Sequence, residues 1–293
     1  MLRSTLVVIA AIAIMLAVTR FSLAQEQPGS KTAQPGKTGQ CMPRLPLWEA
    51  GVFGAAYSQP SYPGADERAN LALALPFVVY RGEHLRVDRS TVGVRAKMSR
   101  RTELDLGFAA TLGSRAADSD ARRGMDDLGT LLEFGPRLKI YLGDVSDGRS
   151  DSRIQLAVRS VFDANDHLSD RGIAVEPQWV KDMQPASDCL VTANLGAVFG
   201  DKKLADTFYR VAPGQATSTR PAYEARSGLI SLSASLFASR LLTPDARLFS
   251  YLRFDSLAGA ANYGSPLVRR NNGWSAGLGI AWTLAYSGRY AKD

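Results

Sequence analysis

Hydrophobic and polar residues alternate along most of this chain with a period of two. In Thr102–Leu112, Leu104 and Leu106 fall on one face, and Glu103 and Asp105 fall on the other. This period indicates a β-strand with one apolar face and one polar face. A strand of about ten residues is long enough to cross a bilayer when tilted, whereas strands of soluble β-sandwiches average five or six. The pattern therefore predicts an all-β chain that forms a transmembrane antiparallel up-and-down β-barrel.

The alternation predicts eleven strands, and we place them as follows: Leu47–Tyr57, Leu71–Tyr80, Leu85–Met98, Thr102–Leu112, Leu131–Leu142, Arg153–Phe162, Ile173–Val180, Cys189–Phe199, Leu229–Ser239, Arg247–Ser256 and Trp274–Leu284. Bacterial single-chain barrels have an even number of strands, with short periplasmic turns and longer outer loops. Counted back from the C-terminus, the long connections 257–272, 200–226 and 114–127 lie outside. The same count places the long Ser58–Asn70 connection in the periplasm. One strand is therefore missing near the N-terminus, and we predict twelve strands, with ten as the alternative.

The N-terminus has the features of a secretory signal. Arg3 supplies a positive charge, Leu6–Val18 is apolar, and Ser22-Leu23-Ala24 is a small-x-small cleavage site. We predict a signal peptide over residues 1–24, a flexible periplasmic leader over 25–44 and an outer-membrane β-barrel over 45–293. This places the protein in the outer membrane of a Gram-negative cell, in contact with its lipids.

Composition narrows the function classes. The 293 residues carry a formal net charge of +7, but the lysines and arginines are scattered along the strands and turns. Without a basic stripe or a base-stacking aromatic motif, we expect no nucleic-acid partner. Cys41 in the leader and Cys189 at the start of a strand give a possible disulfide in an oxidising compartment. Cys189 is equally well explained as a small packed or lipid-facing residue.

Candidate catalytic groups are few. The two histidines are His84 in a predicted turn and His167 beside Asp166 in a loop. The pairs Asp126-Asp127 and Asp166-His167 could activate water only if both members pointed to the same place, and neighbouring residues of a strand point to opposite faces. No His or Cys cluster suits a metal. We expect a non-enzymatic protein without a cofactor or metal.

The polar faces of the predicted strands carry many charges, which must face the lumen because a charge facing lipid at mid-depth costs about 2–4 kcal/mol. The predicted inward charges are: Arg95, Lys97, Glu103, Asp105, Glu133, Arg137, Lys139, Arg153, Arg159, Glu176, Arg247, Arg253 and Asp255. They either pair and plug the lumen or line a water channel that prefers anions. In a twelve-stranded barrel the lumen is narrow, which favours pairing.

Five short motifs occur in a fixed order between residues 47 and 284. They are Ser61–Glu67, Gly124–Leu128, Arg220–Ala225, Leu241–Pro244 and Gly264–Val268, and the last precedes a strand containing Gly277–Trp282. In this order the chain resembles the MipA/OmpV family of outer-membrane proteins. One departure is at the C-terminus, where the final strand continues to Tyr286 and is followed by Ser287–Asp293, whereas such proteins usually end on a terminal aromatic residue.

The resemblance implies an outer-membrane β-barrel. The name-giving member of that family is a scaffold for a lytic transglycosylase and a murein synthase. We therefore expect a non-enzymatic scaffold whose partners are periplasmic murein hydrolases or synthases. The candidate interaction residues are Tyr62, Pro63, Asp66 and Glu67 of the supposed periplasmic connection. The alternative is a narrow porin-like channel for small, preferably anionic solutes.

Overall fold

Antiparallel strands make up most of the chain. The computed structural model describes residues 46–81, 86–87, 96–97, 99, 101–143 and 151–289, without the side chains of 80–81, 86–87 and 96–97. Several predictions lie outside these residues and stay predictions: the signal peptide 1–24, the leader 25–44, Cys41 and its pairing with Cys189, His84, Arg95 and the side chain of Lys97.

Twelve strands form one sheet, ten of them long and two of only two residues. Their bounds are: β1 Trp48–Pro60, β2 Arg68–Arg81, β3 Arg86–Val87, β4 Ala96–Lys97, β5 Thr102–Thr111, β6 Leu131–Leu142, β7 Ser152–Asp163, β8 Ser169–Ala186, β9 Cys189–Gly200, β10 Gly228–Thr243, β11 Ala246–Ser256 and β12 Asn272–Tyr286. The predicted strands are confirmed at ten places, and most extend a few residues beyond the alternating segment.

Consecutive strands pair with each other except β3 and β4, whose described residues lie at the two ends of the order, and β1 also pairs with β12. The sheet order is therefore β3-β2-β1-β12-β11-β10-β9-β8-β7-β6-β5-β4. Eleven antiparallel steps separate β3 from β4, so these two segments run in opposite directions. The prediction of one continuous strand over Leu85–Met98 is therefore wrong. The described ends of that region belong to two strands, β3 and β4. The second of them is the additional strand that an even strand count requires near the N-terminus.

Four long connections meet at one end of the sheet and form what we call the cap: residues 61–67, 112–130, 201–227 and 257–271. The backbone N–H groups of Arg269 and Arg270 donate to the Gly64 carbonyl, and the Asp120 N–H donates to Glu67 Oε1 at 2.8 Å. The Ser58–Asn70 connection is therefore on the same side as the other long connections. Its predicted position on the opposite, periplasmic side is wrong because the strand count was one short.

The outward face of the sheet is apolar over most of its length. Leu106, Phe134, Leu195 and Leu278 are exposed, as are all four tryptophans. A soluble monomer rarely exposes a continuous apolar surface of this kind, whereas lipid covers it in a membrane barrel. Tryptophans lie near both ends of β12, at Trp274 and Trp282, where aromatic girdles meet the membrane interfaces.

Besides two single-turn 3-10 helices at Ala116–Asp118 and Pro213–Gln215, the cap contains one α-helix, α1, at Lys202–Tyr209. Asp201 caps it by accepting the Leu204 N–H at 2.9 Å, as N-terminal Asp residues commonly do. Its buried residues Leu204, Ala205 and Phe208 join the main hydrophobic cluster, which lies under the cap. Within the described ranges, no helix has the length and apolar character needed to cross a bilayer.

Candidate functional site: a capped lumen with paired charges

A chain of ion pairs crosses the interior below the cap. Arg159 on β7 donates to Glu133 on β6 at 3.0 Å and to Glu176 on β8 at 2.6 Å. Arg253 on β11 approaches the same Glu176 at 3.9 Å and donates to its neighbour Asp255 at 2.7 Å. Strands β9 and β10 lie between β8 and β11, so side chains that meet across them show how strongly the sheet is curved.

A second group of charges lies where β5 pairs with β6. Arg137 binds both carboxylate oxygens of Asp105, at 2.8 and 2.7 Å. Lys139 donates to Glu103 at 2.9 Å and also contacts Asp105, and the Tyr141 hydroxyl donates to Glu103 at 3.2 Å. Each of these residues faces the interior because the strand register keeps the polar positions of both strands on one side.

In a third ion pair, the sequence predicts only one of the two residues as an inward charge. Arg153 on β7 donates to Asp182 on β8 at 2.5 Å, and Thr192 donates to the same carboxylate at 2.9 Å. The alternation of this strand stops at Val180, so the sequence pattern does not predict Asp182 as an inward charge. The extension of β8 to Ala186 in the structure is what brings Asp182 opposite Arg153.

With Asp182 included, the predicted inward charges that the structure describes are balanced. Six are bases and six are acids: Arg137, Lys139, Arg153, Arg159, Arg247 and Arg253 against Glu103, Asp105, Glu133, Glu176, Asp182 and Asp255. Asp163 on β7 is also buried, and Arg171 binds it at 2.9 Å. The side chains of Arg95 and Lys97 are not described. Buried charges are stable only when paired, because an unpaired one loses its hydration without compensation. Pairing of this kind favours a plugged lumen over a water channel.

The cap is held together by buried polar contacts. The Tyr62 hydroxyl donates to the Leu267 carbonyl at 2.8 Å, and the Arg122 guanidinium lies 5.6 Å from the centre of the Tyr62 ring. Arg122 also donates to the Phe208 carbonyl at 3.4 Å. These contacts join all four cap connections around one aromatic ring. Burial raises the pKa of Tyr62 to about 12, and it lowers the pKa of Arg122 because a buried cation loses hydration.

A second buried arginine links two connections of the cap. Arg220 donates to the carbonyls of Ala121 and Arg123 at 2.9 and 3.0 Å and to the Gln215 carbonyl at 2.7 Å. Its role is not evident from the sequence, although Arg220 begins one of the motifs that carry the family resemblance. Four of those five motifs lie in the cap. The resemblance to the family therefore rests mainly on the sequence of the cap.

The predicted interaction residues are mostly structural. Tyr62 is only 1% exposed, which leaves no side-chain surface for a partner. Glu67 is used to accept the Asp120 N–H, and Asp66 lies 3.8 Å from Arg269. Because Pro63 lies beside them in the cap, all four are at the end opposite the predicted periplasmic one. Their assignment to a periplasmic contact surface is therefore wrong.

The residues weighed as catalytic candidates have other roles or none. Asp127 accepts the Ala116 N–H at 2.7 Å and so holds the cap connection. His167 is fully exposed, 3.8 Å from Asp166, whose pKa is lowered first by the Ser169 hydroxyl and then by Arg171. Across the described part of the chain, no three His, Cys, Asp or Glu side chains are grouped so that they could hold a metal ion.

Comparison with known proteins gives one family and several structures. A family model described as MltA-interacting protein MipA matches residues 52–284. A search of curated proteins finds no match. Among solved structures, a NanC porin is 11% identical, with 80% of this chain and 100% of that chain covered and a TM-score of 0.36. The COG4313 outer membrane channel from Pseudomonas putida F1 is 13% identical, with 89% and 100% covered and a TM-score of 0.33. At these scores neither likeness carries an argument about function.

Proposed function

Because the chain belongs to the MltA-interacting protein family and is an outer-membrane β-barrel, we propose that it acts as a non-enzymatic scaffold for a murein-remodelling enzyme. The family description names an interaction with MltA, and a partner of that class is a murein hydrolase. The match over residues 52–284 carries this proposal, since it spans both the strands and the cap.

The cap and the paired charges beneath it support a scaffold over a conduit. The cap covers one end of the sheet, and the ion pairs of Arg159, Glu176 and Arg253 cross the interior beneath it. A porin needs a continuous aqueous path lined by hydrated charges. Here the described charges are mostly buried and bound to each other, so they are not available to a passing solute.

The contact surface that we propose is the end opposite the cap. Short turns of outer-membrane barrels face the periplasm, and the short β8–β9 and β10–β11 turns both lie at that end. The β8–β9 hairpin projects beyond β7 there, because β8 continues to Ala186 whereas its pairing with β7 ends at Lys181. Met183 of this hairpin is exposed and apolar, a residue type enriched at protein interfaces. The predicted leader 25–44 leads into β1 at the same end.

The test is capture of a purified MltA-type hydrolase by the immobilised full chain in detergent. We expect Met183→Asp to reduce capture, and the matched control Leu168→Asp, an exposed apolar residue at the capped end, to leave capture unchanged. Deletion of residues 25–44 tests the leader separately. If the unaltered chain captures no hydrolase, the scaffold proposal is wrong. If capture survives both the Met183 variant and the deletion, the proposed surface is wrong.

A further inference from the structure

Three exposed arginines surround one short connection at the capped end of the sheet. Arg68 is the first residue of β2 and directly follows the connection 61–67. In that connection, the Gly64 carbonyl accepts the backbone N–H groups of Arg269 and Arg270, at 2.7 and 3.0 Å. The three arginines therefore lie together on the rim above β1, β2 and β12, which we call the arginine rim.

The charges of the arginine rim are not neutralised by neighbouring acids. Among the described residues, neither Arg68 nor Arg270 forms an ion pair, and the Nε of Arg269 only approaches Asp66, at 3.8 Å. One oxygen of Glu67, the other acid of the connection, accepts a backbone N–H group, and its second oxygen is buried. Three other exposed bases of the cap each bind a carboxylate at 2.6–2.8 Å: Arg123 with Asp120, Lys202 with Asp206 and Lys203 with Asp170.

Arg68 lies on the outward side of the sheet, which faces lipid. Its Nε donates to the Ser58 hydroxyl at 2.9 Å, and Ser58 is opposite Ala276 on β12. Ala276 lies between Trp274 and Leu278, which point outward and are 53% and 62% exposed. Ser58 fixes one edge of the guanidinium, and the two Nη groups have no hydrogen-bond partner in the described part of the chain. These donors are available to a molecule in the membrane.

An aromatic pair marks the height of the arginine rim in the membrane. Trp274 packs against Phe254 of β11, with ring centres 4.7 Å apart. Outward tryptophans of membrane barrels lie where lipid tails meet their headgroups. Arg270 is four residues beyond Trp274 toward the cap, and Arg68 is opposite Pro60 at the outer end of β1. The arginines are therefore at the level of lipid headgroups.

Below the arginine rim, the outward face of β1 and β2 consists of small residues. Ala72 is opposite Ala56, and Ala74 is opposite Gly54. On the neighbouring strand β12, the large and exposed Leu278 is opposite Ala56. The small residues therefore form a shallow groove beside a ridge, and an acyl chain can lie there directly below a headgroup that the arginines hold.

From these observations we propose that the arginine rim binds a lipid of the outer leaflet whose headgroup carries phosphate groups. The planar donors of Arg68, Arg269 and Arg270 match phosphate oxygens, and a phosphate monoester carries more negative charge than a carboxylate. Its acyl chains lie along the small residues of β1 and β2. This site is at the capped end, so it is independent of the scaffold role and of the surface proposed for a murein enzyme.

The probe is diphosphoryl lipid A, added to the purified full chain in detergent, with bound molecules counted by native mass spectrometry. We expect Arg68→Ser to weaken binding about fivefold and Arg68→Ser with Arg270→Ser about 25-fold, since each base near a charged lipid surface contributes about a factor of five. The matched control is Arg226→Ser, an exposed cap arginine beside β10 that also lacks an ion pair among the described residues. It should leave binding unchanged, and a heat-modifiable mobility shift on gels confirms that each variant is folded.

Three results would overturn the proposal. If lipid A without its phosphates binds as tightly as the diphosphoryl form, phosphate is not recognised. If Arg226→Ser weakens binding as much as Arg68→Ser does, the lipid responds to overall charge and not to the arginine rim. If inorganic pyrophosphate at the same concentration displaces the lipid, the site takes free phosphate and the lipid assignment is wrong. Loss of hydrolase capture, by contrast, would leave this result unaffected.

Discussion

At the scale of residues, the interior depends on shared charges more than on isolated pairs. Glu176 is bound by Arg159 and lies near Arg253, and Gln178 donates to its second oxygen at 2.7 Å. A buried carboxylate with three such neighbours fixes the positions of two cations from two different strands. The cost of burying these charges is offset only while every partner is present.

Replacing Glu176 should lower the free energy of unfolding more than replacing a surface acid does. We expect Glu176→Ala to destabilise the folded barrel by about 3–5 kcal/mol, because it leaves Arg159 and Arg253 short of a buried partner. The control is Asp151→Ala, which removes an exposed pair with Lys181 at 3.5 Å and should cost about 0–1 kcal/mol. Urea unfolding in lipid vesicles measures both, and equal losses would contradict the shared-charge interpretation.

Tyr62 makes the cap sensitive to alkaline pH. Its pKa is raised from 10.0 to about 12, chiefly by burial, so the folded cap holds the phenol proton more tightly than the unfolded chain does. The stabilisation is complete below pH 10 and is lost as the pH rises through 12, because over this range the unfolded state binds fewer protons. We expect proteolysis of the cap connections to increase between pH 10 and 12. The Tyr62→Phe variant should show a smaller increase, and an identical pH profile would assign the effect to another group.

At the scale of elements, glycines on β12 let rings from the next strand lie flat on the sheet. A Cβ on Gly277 would lie 2.9 Å from Cδ2 of the Tyr57 ring on β1, and that ring is 6.1 Å from Tyr251 on β11. The small inward positions of β12 therefore set how closely β1 and β11 approach across it. Alternation predicts which face these glycines occupy, but it does not identify the rings that cover them.

Filling one of these positions should disturb the packing of three strands. We expect Gly277→Val to destabilise the barrel by about 1–3 kcal/mol, since Tyr57 must move away from the new side chain. Gly54→Val on β1 is the control, because its nearest neighbour, the Leu73 carbonyl oxygen, is 3.9 Å from the added Cβ. The folded fraction on heat-modifiability gels gives the comparison, and a larger loss for Gly54→Val would show that strand propensity and not ring packing decides the outcome.

At the scale of the whole molecule, two layers lie across the interior: the cap and the ion pairs beneath it. The cap brings together distant parts of the chain, as when Tyr62 binds Leu267 and Arg220 binds Ala121. The ion pairs then extend from β6 to β11. Because each layer connects strands that are not neighbours in the sheet, both layers also stabilise the curvature of the sheet.

The full chain should therefore be silent in a planar bilayer. We expect no steady conductance from the unaltered protein, since both layers obstruct the lumen. Replacing residues 202–215 by a short Gly-Ser linker, together with Arg159→Ser and Glu176→Ser, removes part of each layer and should produce steady conductance steps. A steady conductance of the unaltered chain equal to that of the variant would contradict closure and would favour the channel alternative.

Much of the fold followed from periodicity, because a strand between lipid and an interior must change polarity at each residue. The predicted strand Thr102–Leu112 is such a case: the structure has a strand at Thr102–Thr111, and Glu103 on it is buried and paired with Lys139. The region Leu85–Met98 was misread because alternation has no direction, so two short antiparallel strands look like one longer strand. Asp182 was missed for a related reason: β8 continues past the point where its alternation ends.

The sequence by itself determined the class of the protein: period-two strands of membrane-crossing length, the inward position of the charges and the family to which the chain belongs. The tertiary structure alone decided that Tyr62 is buried in a cap, that Glu176 joins β7 to β11, and that the Ser58–Asn70 connection lies with the other long connections. The physical reason is that polarity is a local property of each residue, which the pattern records. Pairing across the lumen and between connections depends on the curvature of the sheet and the number of strands, which join residues far apart in the chain.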